Sequence, residues 1–209
     1  EKTEKQSENW ATLDELKGLM KNYGNETKHL IGKDNVPMKD LIRLQKHVIL
    51  SLYLSSDDNP PIRSEWGDVH VMFKKDNIKL DPTKNYLFVT GPRRKDLILN
   101  DFKTEKTFGA QKFKIGKVLN KVLEGWLKTV RHESGDPLLL KKSGGGLGRT
   151  NLSKMLMEIS APLGKRISVQ LLRHIYISET IIQPKNSEKK AIADKMCHSV
   201  GTQTNYIKY

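Results

Sequence analysis

The spacing of apolar residues changes twice along this chain, and each change limits the fold. Between residues 38 and 54 the apolar positions recur with a helical period, which predicts one long amphipathic helix with these residues inward: Leu41, Ile42, Leu44, Val48, Ile49, Leu52 and Tyr53. Pro60 and Pro61 cannot continue a helix, so this helix has to end within 55–61. After the prolines the pattern becomes that of short strands, and from residue 117 it is helical again.

Four strand-like runs and several further helices are predicted beyond the prolines. The strands are expected at these residues, the last pairing back as a hairpin across a loop at 103–110: 68–73, 86–89, 97–99 and 111–115. The helices are expected at these residues: 117–130, 151–160, 168–182, 188–197 and a short segment carrying Tyr206. Helices that flank a small antiparallel sheet make an α+β fold that is mainly helical.

The residues before the long helix are expected to hold one short helix. Thr12 and Glu15 have the T-x-x-E spacing of a capping box, which predicts a helix from there to about Tyr23. Residues 1–11 are polar and charged, and we expect a linker or a frayed end. The Gly, Asn and Asp residues of 24–36 predict a loop.

The composition narrows the class of protein. Hydrophobic residues make up 36% of the chain and charged residues 29%, as in globular proteins, and no apolar run is long enough for a membrane span. The single cysteine, Cys197, excludes an internal disulfide and a zinc site of several cysteines, and it indicates a reducing compartment. The chain begins at Glu1 without a methionine, so we expect a fragment of a longer protein.

The net charge of +13 is unevenly distributed. Residues 1–48 hold nine Lys/Arg and eight Asp/Glu, whereas residues 84–131 hold twelve Lys/Arg and four Asp/Glu, a local net charge of +8. A local excess of this size indicates a polyanionic partner, and the alternative is a solvated basic surface.

Three residues near the end of the chain are suited to phosphoryl transfer. Arg173 can fork onto two phosphate oxygens, His198 can bond a phosphate or move a proton, and the Tyr206 hydroxyl can be a covalent nucleophile. Arg173 and His198 also have simpler interpretations, as a surface arginine and as a histidine at a helix end. The order and spacing of the three resemble box II of the tyrosine recombinases, the integrases that join DNA through a phosphotyrosine.

The same resemblance extends upstream. Residues 52–66, where Pro60-Pro61 precede Arg-x-acid-aromatic, look like box I in its viral and mobile-element (Crypton- or virophage-like) form, which implies that Arg63 clamps phosphate and Glu65 braces the site. Residues 97–109 resemble the family's lysine-bearing hairpin, which implies that Lys103, or failing that Lys106, is the catalytic lysine. The resemblance runs from about Leu41 to Tyr209.

Box II departs from the family pattern at one position. The pattern has a histidine three residues before the arginine, and this chain has Gln170, which cannot accept a proton to become charged. His174 follows Arg173, as is common in the family, and is expected to be structural. Many relatives place their tyrosine one position after Tyr206, where this chain has Ile207, so Tyr209 is only a second choice for the nucleophile.

The resemblance implies a fold and an activity. We expect the catalytic-domain fold of tyrosine recombinases and type IB topoisomerases over 37–209, preceded in 1–36 by a linker and short helix connecting to an absent core-binding domain. The reaction would cleave and rejoin double-stranded DNA through a 3′-phosphotyrosine, without ATP or metal. Recombination implies a homo-tetramer on synapsed DNA, while the free protein could be a monomer. The setting would be intracellular, where the target DNA lies, such as a host nucleus or viral factory.

Two alternatives stay open, and no cofactor is expected. A type IB topoisomerase shares the chemistry, and a DNA-binding relative that has lost catalysis would suit Gln170. The glycine run at 143–148 matches neither a dinucleotide-binding motif nor a P-loop. The histidines show no metal-ligand spacing with a carboxylate base, so we expect no metal site.

Overall fold

The computed structural model describes residues 2–55, 61–180, 186–197, 199–204 and 206. Within these residues it contains these helices: α1 (Glu4–Asn9), α2 (Leu13–Thr27), α3 (Met38–Leu54), α4 (Glu105–Phe108), α5 (Lys117–Val130), α6 (Arg149–Ile159), α7 (Val169–Thr180), α8 (Asn186–Lys195) and α9 (Val200–Thr204). The strands are β1 (Val69–Phe73), β2 (Asn85–Gly91), β3 (Arg94–Leu99) and β4 (Gln111–Lys114). The α+β class predicted from the sequence is confirmed. None of the described helices has the length and apolar character to cross a bilayer.

The long helix α3 is the centre of the core and has the bounds that its apolar pattern predicts. Its inward side chains, such as Val48, Ile49 and Leu52, are at most 1% exposed. Helices α2, α5 and α6 pack against it. In α5, Leu119, Leu123 and Trp126 face the core, whereas the apolar side chain of Val118 is 59% exposed. Successive helical residues are about 100° apart, so Val118 falls outside the stripe that its neighbour Leu119 begins.

The N-terminal residues are more ordered than their polarity predicts. Instead of a frayed end, residues 4–9 form α1, which begins with a capping box between Thr3 and Gln6. Lys165 donates to the Glu8 carbonyl, and Asn9 accepts from the Arg166 amide, so α1 is attached to the segment before α7. The predicted capping box of α2 is present between Thr12 and Glu15.

Helix α2 also extends beyond its predicted end near Tyr23. It continues to Thr27 and is followed by a 3-10 helix at Lys28–Leu30, so the predicted loop at 24–36 is shorter than expected. Leu13, Leu16 and Leu19 of α2 belong to the same hydrophobic core as α3. In the last turn, Thr27 is 1% exposed and Gly24 lies against His47 of α3, so burial stabilises this turn despite the Gly and Asn residues there.

The sheet has the strand order β1-β2-β3-β4 and is mixed rather than wholly antiparallel. β2–β3 and β3–β4 are antiparallel, and β4 pairs back on β3 as predicted. β1, however, runs parallel to β2, with Val69 opposite Asn85 and Phe73 opposite Val89. The reason is the connection 74–84, which returns the chain to the end of the sheet where β1 began instead of reversing it in a tight turn.

Candidate active site

One cavity of about 410 Å³ collects side chains from five separate segments of the chain. Four predicted catalytic residues line it, together with Gln170: Arg63, Lys103, Arg173 and Tyr206. The remaining lining residues are Ser64, Arg149, Thr150, Ser153 and Val169. Arg63, Lys103, Arg149 and Arg173 surround this space with positive charge, which suits a phosphate ligand.

Arg173 and Tyr206 are in direct contact inside this cavity. Arg173 is only 1% exposed, its Nη1 donates to the Tyr206 hydroxyl at 2.9 Å, and its Nε donates to the Pro61 carbonyl at 3.1 Å. Burial lowers the pKa of the Arg173 guanidinium from its usual range, and the nearby Tyr206 hydroxyl opposes this shift. An arginine buried at such cost indicates a site that needs its charge.

Tyr206 follows α9 and is held in the cavity of its own chain by α7. Its ring lies against His174, with ring centroids 4.5 Å apart. Its carbonyl oxygen is 3.1 Å from His174 Nδ1 and accepts from the Ser178 hydroxyl at 3.3 Å. A carbonyl oxygen only accepts, so Nδ1 of His174 carries the proton in this contact. His174 therefore contacts Tyr206 on its ring and its carbonyl, and it does not line the cavity.

Arg63 reaches the cavity from the chain just before the 3-10 helix Ser64–Asp68. Its carbonyl accepts from the hydroxyl of the fully buried Tyr53 at 2.9 Å, which fixes this segment on α3. Glu65 does not line the cavity: its side chain is 4% exposed, and its Oε2 has no hydrogen-bond partner within the described residues. Burial raises the pKa of the Glu65 carboxyl, and the neighbouring arginines, including Arg149 and Arg173, oppose this shift.

The loop between β3 and β4 brings Lys103 and Lys106 to different places. Lys103 is exposed and lines the candidate cavity. Lys106, on α4, lines a separate cavity with Thr83 and Asn100. Next to Lys103, Phe102 is buried in the core, and the Thr104 hydroxyl donates to the Cys197 carbonyl at 2.6 Å.

Two predicted residues, His198 and Tyr209, lie outside the described residues. The chain just before position 198 is nevertheless fixed beside the lysine loop, through the bond between Thr104 and Cys197. Cys197 is itself buried, and burial raises the pKa of its thiol to about 11, so at neutral pH it is a packed thiol and not a nucleophile.

Gln170 occupies the first turn of α7, three residues before Arg173, and it is exposed to the cavity. Positions three apart in a helix share a face, which accounts for both residues lining the same space. The position where the family pattern has a histidine therefore faces the cavity, but its side chain cannot act as a general base.

Arg149, which begins α6, lines the cavity but belongs to none of the predicted site residues. Its Nη2 donates to the carbonyl and to Oδ2 of Asp101, at 3.0 and 2.6 Å, and its Nε lies 2.6 Å from Asp68 Oδ2. The local signal is only a Gly-Arg pair before an apolar helix, and both carboxylate partners are distant in sequence. Among the described residues, no group of three His, Cys, Asp or Glu side chains is arranged to hold a metal ion.

Comparison with known proteins identifies the fold. The sequence matches no protein-family model and no curated protein. The structure is similar to the crystal structure of XerA recombinase, with a TM-score of 0.60 and 14% sequence identity. The match covers 96% of this chain, which spans 59% of the length of that one. The chain thus has the catalytic-domain fold of a tyrosine recombinase, as the sequence predicts.

Proposed function

We propose that this protein cleaves and rejoins double-stranded DNA through a covalent bond to Tyr206. The observation that carries the proposal is the contact between Tyr206 and the buried Arg173, in a cavity also lined by Arg63 and Lys103. A buried guanidinium bonded to a hydroxyl can stabilise negative charge on that oxygen and, with a second arginine, on a phosphate beside it.

The cleavage step is a transfer of the phosphate from one oxygen to another. The Tyr206 hydroxyl oxygen attacks the phosphorus, a tyrosine–phosphate bond forms, and the bond from phosphorus to the 5′ oxygen breaks. The phenolic proton passes to water in the open cavity, because Gln170 cannot take it. Lys103 gives a proton to the departing 5′ oxygen, and rejoining reverses both transfers.

The other site residues have supporting roles in this proposal. Arg63 and Arg173 hold the non-bridging oxygens, and His198 assists as a hydrogen-bond donor or proton carrier. Glu65 is buried close to the arginines, and His174 holds the tyrosine in place. The energy of the broken phosphodiester bond is conserved in the phosphotyrosine bond, so rejoining needs no ATP. The charge on the phosphate is stabilised by the arginines, so the reaction needs no metal ion.

The wider setting of the reaction also belongs to the proposal. Recombination joins two duplexes, so we propose a homo-tetramer on synapsed DNA that forms from monomers. The sequence of box I and of the lysine hairpin favours an integrase of a virus or mobile element, acting in a host nucleus or viral factory.

One observation favours a second function, that of a DNA-binding relative without catalysis. Gln170 faces the cavity where the family pattern has a histidine, so the site lacks a side-chain base at that position. Such a protein would bind duplex DNA through the same basic residues and form no covalent bond.

A suicide-substrate assay separates the two functions. Protein is incubated in EDTA with a pool of nicked duplexes of randomised sequence, and covalent complexes are isolated on a denaturing gel. We expect a slowly migrating protein–DNA band that is lost in Tyr206→Phe and kept in Tyr209→Phe. Tight binding without any band would favour the non-catalytic function, and a band that appears only in Gln170→His would trace the loss to that position.

A further inference from the structure

Arg149 joins two sides of the candidate active site: the loop that carries Lys103 and the segment that carries Arg63. On one side its guanidinium bonds Asp101, two residues before Lys103, through both the carbonyl and the carboxylate. On the other side it pairs with Asp68, the last residue of the 3-10 helix that begins directly after Arg63. The side chain is 29% exposed, so most of it is enclosed by these partners.

The Asp68 side of this connection is rigid. A methyl group at Gly67 would lie 2.6 Å from the backbone carbon and oxygen of Gly148, so the two backbones are in direct contact. The Gly148 amide also donates to the Gly67 carbonyl at 2.9 Å. The start of α6 is therefore fixed to the segment that presents Arg63, and Arg149 is the next residue along the chain.

The Asp101 side is the start of an exposed loop. Asn85, 1% exposed, bonds the Asp101 amide and carbonyl at 2.9 and 2.8 Å, and Phe102 is buried in the core. These contacts attach the loop to the sheet, but they do not attach it to Arg63. The bond from Arg149 to Asp101 links the loop directly to the segment that presents Arg63, through the ion pair of Arg149 with Asp68.

We propose that Arg149 is a positioning residue that sets Lys103 at the correct distance from the phosphate held by Arg63 and Arg173. This inference rests on the proposed function. Arg149 acts through Lys103 and does not itself hold the scissile phosphate, since its guanidinium donates to Asp101 and is ion-paired with Asp68. Without Arg149, the Lys103 side chain would still be present, but it could move away from the leaving oxygen. A small displacement of a catalytic group strongly lowers the reaction rate.

A substrate with sulfur in place of the bridging 5′ oxygen tests this role. A thiolate leaves without a proton, so the general acid is not needed for that substrate. Single-turnover cleavage is measured at saturating DNA for the wild type, Arg149→Ala, Arg149→Lys and Lys103→Ala on both substrates. We expect Arg149→Ala to be slower on the oxygen substrate by about 10- to 100-fold, part of the 10²- to 10⁴-fold contribution of a general acid. On the sulfur substrate Arg149→Ala and Lys103→Ala should both approach the wild-type rate.

Two further results bear on the same inference. Asp101→Ala combined with Arg149→Ala should be no slower than Arg149→Ala alone, because both changes break one connection. Arg149→Lys should recover only part of the rate, since an ammonium cannot fork between Asp68 and Asp101. A rate loss in Arg149→Ala that persists on the sulfur substrate would overturn the inference, because it would mean that Arg149 contacts the phosphate directly.

A measurement without DNA keeps this inference separate from the proposed function. Hydrogen exchange of the amides at 101–104 should be about tenfold faster in Arg149→Ala than in the wild type, because the loop has lost one of its attachments. Unchanged exchange there would overturn the positioning role even if the wild type cleaves DNA. Absence of any covalent adduct with the wild type, with faster exchange in the variant, would reject the proposed function and keep the structural connection.

Discussion

Lys103 and Lys106 lie three residues apart on the same loop. Comparing variants of these two lysines distinguishes general-acid catalysis from the effect of a nearby positive charge. Only Lys103 lines the cavity that contains Tyr206. We expect Lys103→Ala to lower the single-turnover cleavage rate by about 10²- to 10⁴-fold. Lys106→Ala, which removes the same charge from the same loop, should leave the rate essentially unchanged. Equal losses in the two variants would mean that the loop contributes general electrostatic attraction only.

Glu65 gives a prediction about stability as a function of pH. Burial raises the pKa of its carboxyl in the folded protein, so the folded state holds this proton more tightly than the unfolded state does. The protonated Glu65 therefore contributes to the stability of the wild type below the pKa of the unfolded state. This contribution to stability is lost as pH rises through the pKa of the folded state. Gln at this position is neutral throughout. The melting temperature of Glu65→Gln relative to the wild type should consequently increase from pH 4 to pH 7.

Thermal unfolding across this range checks the prediction. Glu158→Gln, which removes an exposed carboxylate from α6, is the control for the general effect of one charge. A difference in melting temperature between Glu65→Gln and the wild type that does not change with pH would contradict the prediction. It would mean that the neighbouring arginines stabilise the ionised Glu65 carboxylate enough to offset its burial.

At the scale of elements, the contact between α6 and the 3-10 helix Ser64–Asp68 depends on Gly67. A Cβ there would lie 2.6 Å from the Gly148 backbone, which cannot move without displacing the start of α6. We expect Gly67→Ala to destabilise the protein by about 1–3 kcal/mol through overpacking. Gly18→Ala, on an exposed face of α2 with nothing within 4 Å, should instead stabilise it by about 0.5–1 kcal/mol. Urea unfolding of both variants measures the two effects, and equal signs would contradict this account.

The sequence predicts those elements that depend on local signals, such as an apolar stripe or a capping box. It does not predict a pairing that depends on the path of a longer connection. Helix α3 has its predicted bounds because its apolar stripe and the prolines after it are local signals. The parallel pairing of β1 with β2 has no local signal, since it depends on where the connection 74–84 leads the chain. The polarity of residues 1–11 hid α1, although Thr3 and Gln6 have the capping-box spacing that also identified α2.

At the scale of the whole molecule, the candidate site is assembled from contacts between distant segments. Arg173 bonds Pro61, 112 residues away, and Tyr206, 33 residues away. The family pattern predicted which residue types would be present, and the fold brings four of them to one cavity. Arg149 belongs to no such pattern, and its bond to Asp101 spans 48 residues, so nothing in its local sequence distinguishes it from other surface arginines.

The whole-molecule charge distribution leads to a prediction about DNA binding. Of the twelve Lys/Arg in residues 84–131, all are exposed except Lys95, which is 1% exposed and bonds Asn120. The excess positive charge of this part of the chain is therefore at the surface, where it can neutralise phosphates. Lys117 and Lys121 of α5 and Lys17 and Lys21 of α2 form two matched pairs, each exposed and four residues apart on a helix.

We expect the α5 pair to contact DNA and the α2 pair to contact only solvent. Each phosphate contact contributes about 0.9 to the slope of log K against log salt concentration. Replacing Lys117 and Lys121 by Gln should therefore reduce the slope by up to about 2, whereas replacing Lys17 and Lys21 should leave it unchanged. The measurement is fluorescence anisotropy with a labelled duplex between 50 and 200 mM salt. Equal reductions for the two pairs would mean that the net charge of +13 acts as a diffuse field, and that residues 84–131 do not form a DNA-binding face.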